Sequence, residues 1–242
     1  MKTKTKGFLL TASVCLAMAF TLSCSSDDWL GDPSSSSNGG GEPSSSSNGG
    51  GDPSSSSNGG GDPSSSSNGG GNSITYEGET YPTVDIGTQT WLAKNLNYAV
   101  AGSKCYDDDP ANCQEYGRLY DWETAMSVCP SGWRLPSNED WDMLIDYAGG
   151  SETAGAKLKS ISGWNDNGNG TDQYGFTALP GGGYGEDGSF FDIGGFGIWW
   201  SASEGGGYGN GAYIRGILYN DEGAHKDGTD KSGLFSVRCV RD

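Results

Sequence analysis

A ten-residue unit repeated four times over residues 31–70 most constrains the architecture of this chain. Each unit reads Gly-Asp-Pro, then a run of serines, then Asn-Gly-Gly, with Glu42 replacing the aspartate once. No unit has an apolar face to bury, so the repeats cannot stack as a solenoid, and their composition is that of a flexible tether. A packed core must therefore come from residues 73–242, which hold every tryptophan except Trp29.

The first 23 residues have the pattern of an export signal. Lysines at alternate positions form a charged start, and residues 8–22 are an almost unbroken apolar run, shorter than the roughly 20 residues of a membrane span. Residues 21–24, Thr-Leu-Ser-Cys, resemble a bacterial lipobox, in which the cysteine becomes the lipidated first residue. The resemblance implies a signal peptide over 1–23 and a lipid anchor on Cys24. The alternative is ordinary cleavage nearby, which would release a protein with a free thiol.

Residues 24–72 would then connect the lipid to the folded domain. A flexible chain of about 49 residues has a mean reach of roughly 35–42 Å. This length suits a domain that stands away from a membrane or searches for a target. Drift of the repeat number by slippage is the alternative explanation.

The charge balance excludes several classes of partner. The chain has 31 acidic and 14 basic residues and a net charge of −17, which argues against binding to nucleic acid. Because His225 is the single histidine, we do not expect most catalytic triads or histidine-based metal sites in this chain. No nucleophile elbow, zinc signature or phosphate loop is present, and nothing marks a glycosidase carboxylate pair. We therefore expect no catalytic residue and no cofactor.

Two helices are predicted early in the folded part. Residues 121–128 have helical spacing and end before Pro130. Residues 137–148 give the stronger prediction, because Ser137 is a good N-cap and Asp140 occupies the capping-box position. The apolar stripe of this second helix is expected to be buried and consists of Trp141, Leu144, Ile145 and Ala148.

The remaining regular structure reads as short strands between glycine-rich loops. Residues 83–86 and 90–92 predict a hairpin around Gly87. Further strands are predicted over 197–203, 212–219 and 234–240, the last with alternating residues that indicate one buried face. Two early helices followed by scattered strands indicate the α+β class.

Four cysteines remain if Cys15 is removed with the signal peptide and Cys24 carries the lipid: Cys105, Cys113, Cys129 and Cys239. An even number in an oxidising compartment predicts two disulfides, for which three pairings exist. We favour one bridge between the first two cysteines and another between the last two. From the length of loop that each closes, these bridges would stabilise the folded state by about 2.5 and about 4–5 kcal/mol, respectively. Zinc is the alternative, although the spacings lack a paired-knuckle pattern.

Short motifs distributed over nearly all of residues 73–242 resemble one family. They are Val-Asp-Ile-Gly at 84–87, Gln-Thr-Trp-Leu-Ala-Lys-Asn-Leu-Asn-Tyr at 89–98, Tyr-Gly-Arg-Leu-Tyr-Asp-Trp at 116–122, Cys-Pro-Ser-Gly-Trp-Arg-Leu-Pro at 129–136, Trp141, Gly-Thr-Asp at 170–172, Tyr-Gly-Phe at 174–176, Leu-Pro-Gly-Gly at 179–182, Trp-Trp-Ser at 199–201 and Ser-Val-Arg-Cys-Val-Arg-Asp at 236–242. These segments resemble the Fibrobacter succinogenes major paralogous domain. That family typically occurs on exported and lipoprotein chains, and the resemblance supplies no known activity.

A weaker resemblance concerns the fold. One set of spaced residues is similar to the first helix of C-type-lectin-like domains: Trp122, Ala125, Cys129, Gly132 and Leu135. The ending at 237–241 resembles that of formylglycine-generating-enzyme domains, which share this fold. The resemblance implies a C-type-lectin-like α+β domain with two early helices, short twisted strands and long glycine-rich loops. It also supports a bridge from Cys129 to Cys239.

One segment is a candidate calcium site. Residues 165–172 are rich in oxygen ligands and superficially resemble an EF-hand loop, but Phe176 stands where that loop needs a glutamate. Residues 164–166 also spell Trp-Asn-Asp, a calcium tripeptide of C-type lectins, although far before the final strands. We expect a hydrogen-bonded turn here, with calcium as the alternative. We likewise expect Asp107-Asp108-Asp109 to be a solvated loop tip rather than a metal site.

Aromatic residues are the candidate ligand contacts, because exposed tyrosine and tryptophan rings stack on sugars. Most should belong to the core: Phe190, Phe191, Phe196, Tyr213 and Tyr219. Trp199 and Trp200 are neighbours on a strand and so face opposite sides, which predicts that one is buried and the other lies nearer the surface. Tyr184 and Tyr208, in glycine-rich loops, are the better ligand-facing candidates.

An anchor, a long tether and one aromatic-rich domain indicate a non-catalytic binding or adhesion module. We expect a lipid-anchored protein of the outer membrane, exposed at the cell surface, that binds polysaccharide or a surface protein. The alternatives are a structural envelope or spacer protein without a small ligand, and an uncharacterised enzyme.

Overall fold

The computed structural model of the chain describes residues 72–206 and 209–242. The predicted signal peptide, Cys24, the tether and Tyr208 lie outside the described residues. Thirteen strands in this part form one five-stranded, one six-stranded and one two-stranded sheet. None of the helices placed within these ranges has the length and apolar character needed to cross a membrane.

The five-stranded sheet contains β1 (Ser73–Tyr76), β2 (Glu79–Ile86), β3 (Gln89–Leu92), β6 (Trp133–Arg134) and β13 (Val240–Arg241). It is antiparallel, with the strand order β1-β2-β3-β13-β6. Ile86 pairs with Gln89 around the turn at Gly87, which confirms the predicted hairpin.

The six-stranded sheet contains β4 (Ser103–Lys104), β5 (Leu119–Tyr120), β9 (Phe196–Glu204), β10 (Gly211–Leu218), β11 (His225–Asp230) and β12 (Phe235–Ser236). Its strand order is β11-β10-β9-β12-β5-β4. The pairs are antiparallel except β12 with β9. The third sheet contains only β7 (Gly181–Tyr184) and β8 (Phe190–Ile193). The strands predicted over 197–203 and 212–219 correspond to β9 and β10.

The helices are short. They are α1 (Pro110–Tyr116), α2 (Trp122–Ala125), α3 (Asn138–Tyr147) and α4 (Ala154–Leu158), with 3-10 turns at Tyr106–Asp108 and Asn165–Asn167. The helix predicted over 121–128 shortens to the single turn α2, capped by the Asp121 carboxylate, which accepts a hydrogen bond from the Thr124 amide at 2.8 Å. In α3 the predicted capping box between Ser137 and Asp140 is present. The predicted apolar stripe of α3 is buried.

The α+β, C-type-lectin-like prediction is wrong, because the fold is mainly β with few short helices. Helical periodicity can be recognised within one or two turns of sequence, so the two predicted helices dominated the prediction of the fold class. Five of the strands are only two residues long and carry no alternation that a sequence can reveal.

The segment predicted as one strand over 234–240 departs from expectation in a second way. It divides into β12 in the six-stranded sheet and β13 in the five-stranded sheet. All residues from Phe235 to Val240 are at most 4% exposed, so the expected exposed face does not exist. The segment is buried on every side because it passes from one sheet to the other.

Trp199 and Trp200 lie in two different apolar clusters. Trp199 packs with Trp91, Trp141 and Phe176, whereas Trp200 belongs to the second cluster. Both are buried, at 1% and 0% exposure, so the prediction that one lies nearer the surface is wrong. Strand β9 is covered on both faces, and neighbouring side chains that point in opposite directions therefore both enter a core.

Two disulfides brace the domain. Cys105 is bonded to Cys113 and Cys129 to Cys239, with Cα atoms 5.0 and 6.0 Å apart. This is the pairing favoured on sequence grounds. The second bridge closes a loop of 110 residues and fixes the chain after α2 to the segment between β12 and β13.

Arg238 places a positive charge in the interior. Its guanidinium has no solvent exposure and lies 4.3 Å above the ring of Phe176. It donates to the Asn95 Oδ1 atom at 2.7 and 3.0 Å, to the carbonyls of Leu92 and Thr177 at 3.2 Å each, and to the carbonyl of Phe176. Burial lowers the pKa of Arg238 to about 9, so the side chain stays charged at neutral pH. The hydrogen-bond acceptors that replace water around this charge are all neutral oxygens.

Asn95 extends the same network. Its Oδ1 atom also accepts a hydrogen bond from the Trp199 indole at 2.8 Å. Its amide group donates to the Tyr116 carbonyl at 2.8 Å and to the Ser236 hydroxyl at 3.4 Å. One buried asparagine thus connects the chain after β3 to α1, β9 and β12.

We predict that Asn95→Ala lowers the free energy of unfolding by about 3–5 kcal/mol, because it leaves the Arg238 charge without its side-chain acceptor. Urea unfolding followed by circular dichroism, with both disulfides intact, measures this change. Asn220→Ala, at an exposed position, should change stability by less than about 0.5 kcal/mol. Equal stability losses in the two variants would contradict the role given to Asn95.

Asp140 anchors the start of α3. Its carboxylate accepts hydrogen bonds from the Ser137 amide at 2.7 Å and from both terminal nitrogens of Arg134, one of them at 2.9 Å. Burial raises the pKa of Asp140, but the hydrogen bonds from Arg134 and Ser137 outweigh that effect and hold the pKa below its usual value. The ionised carboxylate therefore stabilises the folded state.

We predict that Asp140→Asn destabilises the protein by about 1–3 kcal/mol at pH 7. A lowered folded-state pKa contributes stability above the unfolded pKa of about 3.9 and loses it as pH falls through the folded value. The difference from the wild-type protein should therefore shrink between pH 7 and pH 3, as measured by urea unfolding at both. Asp146→Asn, exposed on the same helix, is the control. A difference that does not change with pH would be incompatible with an ionised Asp140.

Candidate functional site

Two neighbouring depressions on the folded unit share a pair of tyrosines, Tyr76 and Tyr98. Their volumes are about 420 and 680 Å³. Each is within the size range of small-molecule sites in proteins. We call the two depressions together with their lining the tyrosine cleft.

Tyr76 reaches the cleft from the edge strand β1. Residues of this strand alternate between exposed and partly buried, which puts Ile74 and Tyr76 on the face that packs against the core. Ser73 and Thr75 are exposed. The phenol ring therefore lies at the boundary between the core and solvent.

Tyr98 reaches the cleft from the loop that follows β3, and the core holds this loop at several points. The amide of Leu96 donates to the Val237 carbonyl at 2.9 Å, and the amide of Asn97 donates to the Tyr81 hydroxyl at 3.1 Å. The carbonyl of Tyr98 accepts from the Tyr120 hydroxyl at 2.8 Å. These bonds fix the backbone on which the ring is carried.

The two rings meet edge to face. Their centroids are 5.1 Å apart and their planes are inclined by 66°. Both side chains are partly buried and pack against the same apolar cluster. They form an angled aromatic surface rather than a flat one.

Polar and charged groups surround this aromatic surface. The smaller depression is also lined by Val100, Ala101, Glu123, Thr124, Ser127 and Val128. The larger is also lined by Glu77, Gly78, Glu79, Thr80, Tyr81, Asn97, Ala99, Cys105, Pro110, Cys113, Gln114 and Arg118. Hydroxyls and carboxylates thus line both depressions, and amide side chains line the larger one.

The charges in the cleft are partly compensated. Glu79 forms an ion pair with Lys94 and accepts a hydrogen bond from the Tyr81 hydroxyl at 3.4 Å. Burial raises the pKa of Tyr81 to about 12, and burial together with Tyr98 and Glu77 raises the pKa of Tyr76. Both phenols are therefore protonated at neutral pH, and each can donate and accept hydrogen bonds.

Two side chains of the predicted calcium segment use their oxygens in local hydrogen bonds. Asn169 Oδ1 accepts from the Trp164 amide at 3.0 Å, and the Asp172 carboxylate accepts from the Thr177 amide and hydroxyl at 2.7 Å each. These bonds make the expected turn, and the turn presents the Phe176 and Thr177 carbonyls to Arg238. Within residues 72–206 and 209–242, no three His, Cys, Asp or Glu side chains are grouped so as to hold a metal ion.

The acidic run at 107–109 forms a loop tip with local partners. Asp108 pairs with Lys104 at 3.2 Å, and Asp109 caps α1 by accepting from the Ala111 amide at 2.9 Å. All three aspartates are exposed. Their arrangement is that of a solvated turn joined to a helix cap.

Tyr184, a predicted ligand contact, is not among the residues that line the cleft. Its ring packs against Phe190 at 4.8 Å, and the Lys104 ammonium lies 5.4 Å from its centroid. It belongs to a small apolar cluster with Tyr106, Leu119 and Leu234. This tyrosine serves packing, and its partner candidate Tyr208 is outside the described residues.

Sequence reasoning did not identify Tyr76 and Tyr98. The available signals were the alternation of Ile74 and Tyr76 in a short polar stretch, and the position of Tyr98 at the end of the motif at 89–98. Neither signal shows that the two rings meet. Their contact follows from packing of β1 and the loop after β3 on one core cluster.

The fold and site define a disulfide-braced, mainly β domain with an open aromatic cleft. A family model, the Fibrobacter succinogenes major domain, matches residues 84–241. The chain belongs to this family, as the motifs predicted. A search of curated proteins and a search of solved structures each found no match.

Proposed function

We propose that this protein is a lipid-anchored, non-catalytic binding module that holds polysaccharide in the tyrosine cleft. The observation that carries the proposal is the position of Tyr76 and Tyr98, which line both depressions and are only partly buried. Tyrosine combines an apolar ring with a hydroxyl that donates and accepts, which matches the alternating faces and hydroxyl groups of a sugar.

The polar lining supports a glycan more than an apolar ligand. Asn97, Gln114 and Thr124 offer amide and hydroxyl groups, and no large aliphatic residue occurs among the residues that line the larger depression. Sites for apolar small molecules are lined mainly by hydrophobic side chains. Hydroxyl-rich ligands instead exchange hydrogen bonds with such amides and hydroxyls without leaving polar groups unpaired.

Two observations favour binding without catalysis. The described cysteines are all held in disulfides, so none provides a free thiol. The Glu79 carboxylate, which lines the larger depression, is already engaged in an ion pair with Lys94.

We predict that Tyr76→Ala combined with Tyr98→Ala weakens glycan binding at least about tenfold, because ring stacking on a sugar is lost. Binding is measured by glycan array and by affinity electrophoresis in polysaccharide gels. The protein used is the full chain with Cys24→Ser, a substitution that removes the lipidation site. Tyr76→Phe should keep most of the affinity, and Tyr147→Ala, at an exposed tyrosine outside the cleft, should keep all of it. Absence of binding to every glycan would refute the proposal.

The proposed location is the outer membrane, with the domain displayed at the cell surface on its tether. The lipobox-like residues 21–24 and the repeats of 31–70 support this placement. We predict that protease added to whole cells removes the domain of the wild-type protein. We further predict that Cys24→Ser moves the protein from the membrane fraction to the soluble fraction. A domain that resists protease on intact cells but not on lysed cells would argue for an inward-facing anchor.

A further inference from the structure

We infer that the tyrosine cleft binds the interior of single, uncharged polysaccharide chains, and neither crystalline polysaccharide nor polyanionic glycan. This inference rests on the proposed function and adds the physical form and the charge of the ligand. Three features of the cleft carry it: the angle between the rings, the two depressions that share these rings, and the charges in the lining.

The ring angle disfavours a flat ligand surface. A crystalline polysaccharide presents a planar face, and two rings can stack on one plane only if they are coplanar. The Tyr76 and Tyr98 planes are inclined by 66°, with centroids 5.1 Å apart. One ring can therefore stack on a sugar while the other meets the ligand at its edge or through its hydroxyl. A single chain can turn to satisfy both contacts.

The shape of the cleft indicates a chain interior rather than a chain end. An end-binding site closes around the terminal unit. Here the two depressions share both tyrosines in their lining, with volumes of about 420 and 680 Å³. A chain that contacts the two rings can therefore extend from one depression into the other.

The charges in the lining act against polyanions. Glu77, Glu79 and Glu123 line the cleft together with a single basic residue, Arg118. Lys94 compensates Glu79, but Glu77 and Glu123 are exposed and belong to none of the ion pairs found among the described residues. Like charges placed opposite one another across an interface disfavour binding. Hydroxyl groups without carboxylate or sulfate are thus the better match.

Affinity electrophoresis of the full chain carrying Cys24→Ser tests the inference. The gels contain hydroxyethylcellulose, mixed-linkage β-glucan, galactomannan or polygalacturonate, and microcrystalline cellulose is used in a sedimentation assay. We expect at least one uncharged soluble chain to bind about tenfold more tightly than polygalacturonate and crystalline cellulose. The binding should be lost in the Tyr76→Ala, Tyr98→Ala variant.

A charge-reversal pair tests the electrostatic part separately. Glu77→Lys with Glu123→Lys should strengthen binding to polygalacturonate by about tenfold at low salt. The matched control is Asp146→Lys with Glu152→Lys, at exposed positions outside the cleft. If the control pair strengthens binding equally, overall charge rather than the cleft decides selectivity, and this part of the inference is wrong.

The outcomes separate the inference from the proposed function. Tyrosine-dependent binding that is as strong on crystalline cellulose or polygalacturonate as on soluble uncharged chains would overturn the inference and leave the proposed function intact. Failure of the wild-type protein to bind any of these polymers or any array glycan would overturn both.

Discussion

The buried contact between Arg238 and Asn95 is the interaction on which the rest of the domain depends. A fully buried guanidinium is tolerated only where oxygens replace its water. Four neutral oxygens do so here, two from the chain at the end of β3 and just after it and two from the turn at 172–177. Gathering them places β3, the turn at 172–177 and the segment between β12 and β13 around one charge. The cost of burying that charge without these partners makes alternative arrangements of the same segments unfavourable.

The cleft is positioned by the same network. Asn95 is held by Trp199 and by the Tyr116 carbonyl, and Leu96 is held by the Val237 carbonyl. Tyr98 follows three residues after Asn95 and so begins from a fixed backbone. A surface ring carried on a rigid support loses little conformational freedom when it binds a ligand. The core thus supports the backbone that carries Tyr98, and one core residue, Tyr81, also lines the larger depression.

Sequence reasoning succeeded where the signal is local and failed where it is not. The α3 helix was predictable because its cap and apolar stripe lie within twelve residues, 137–148. The segment 234–240 was not, because its alternation indicates one buried face, whereas contact with two sheets buries both. Trp199 and Trp200 were misjudged for the same reason. The overall class was then misassigned, since strands of two residues leave no periodicity to detect.

By itself, the sequence determined the number of disulfides, the α3 helix, the β2–β3 hairpin and the family. Each of these follows from composition or from residues close together in the chain. Only the tertiary structure decided that the fold is mainly β, that the turn at 172–177 provides carbonyls to Arg238, and that Tyr76 and Tyr98 form a cleft. These features depend on contacts between distant segments, and such contacts are selected by the packing of the whole core rather than by any local pattern.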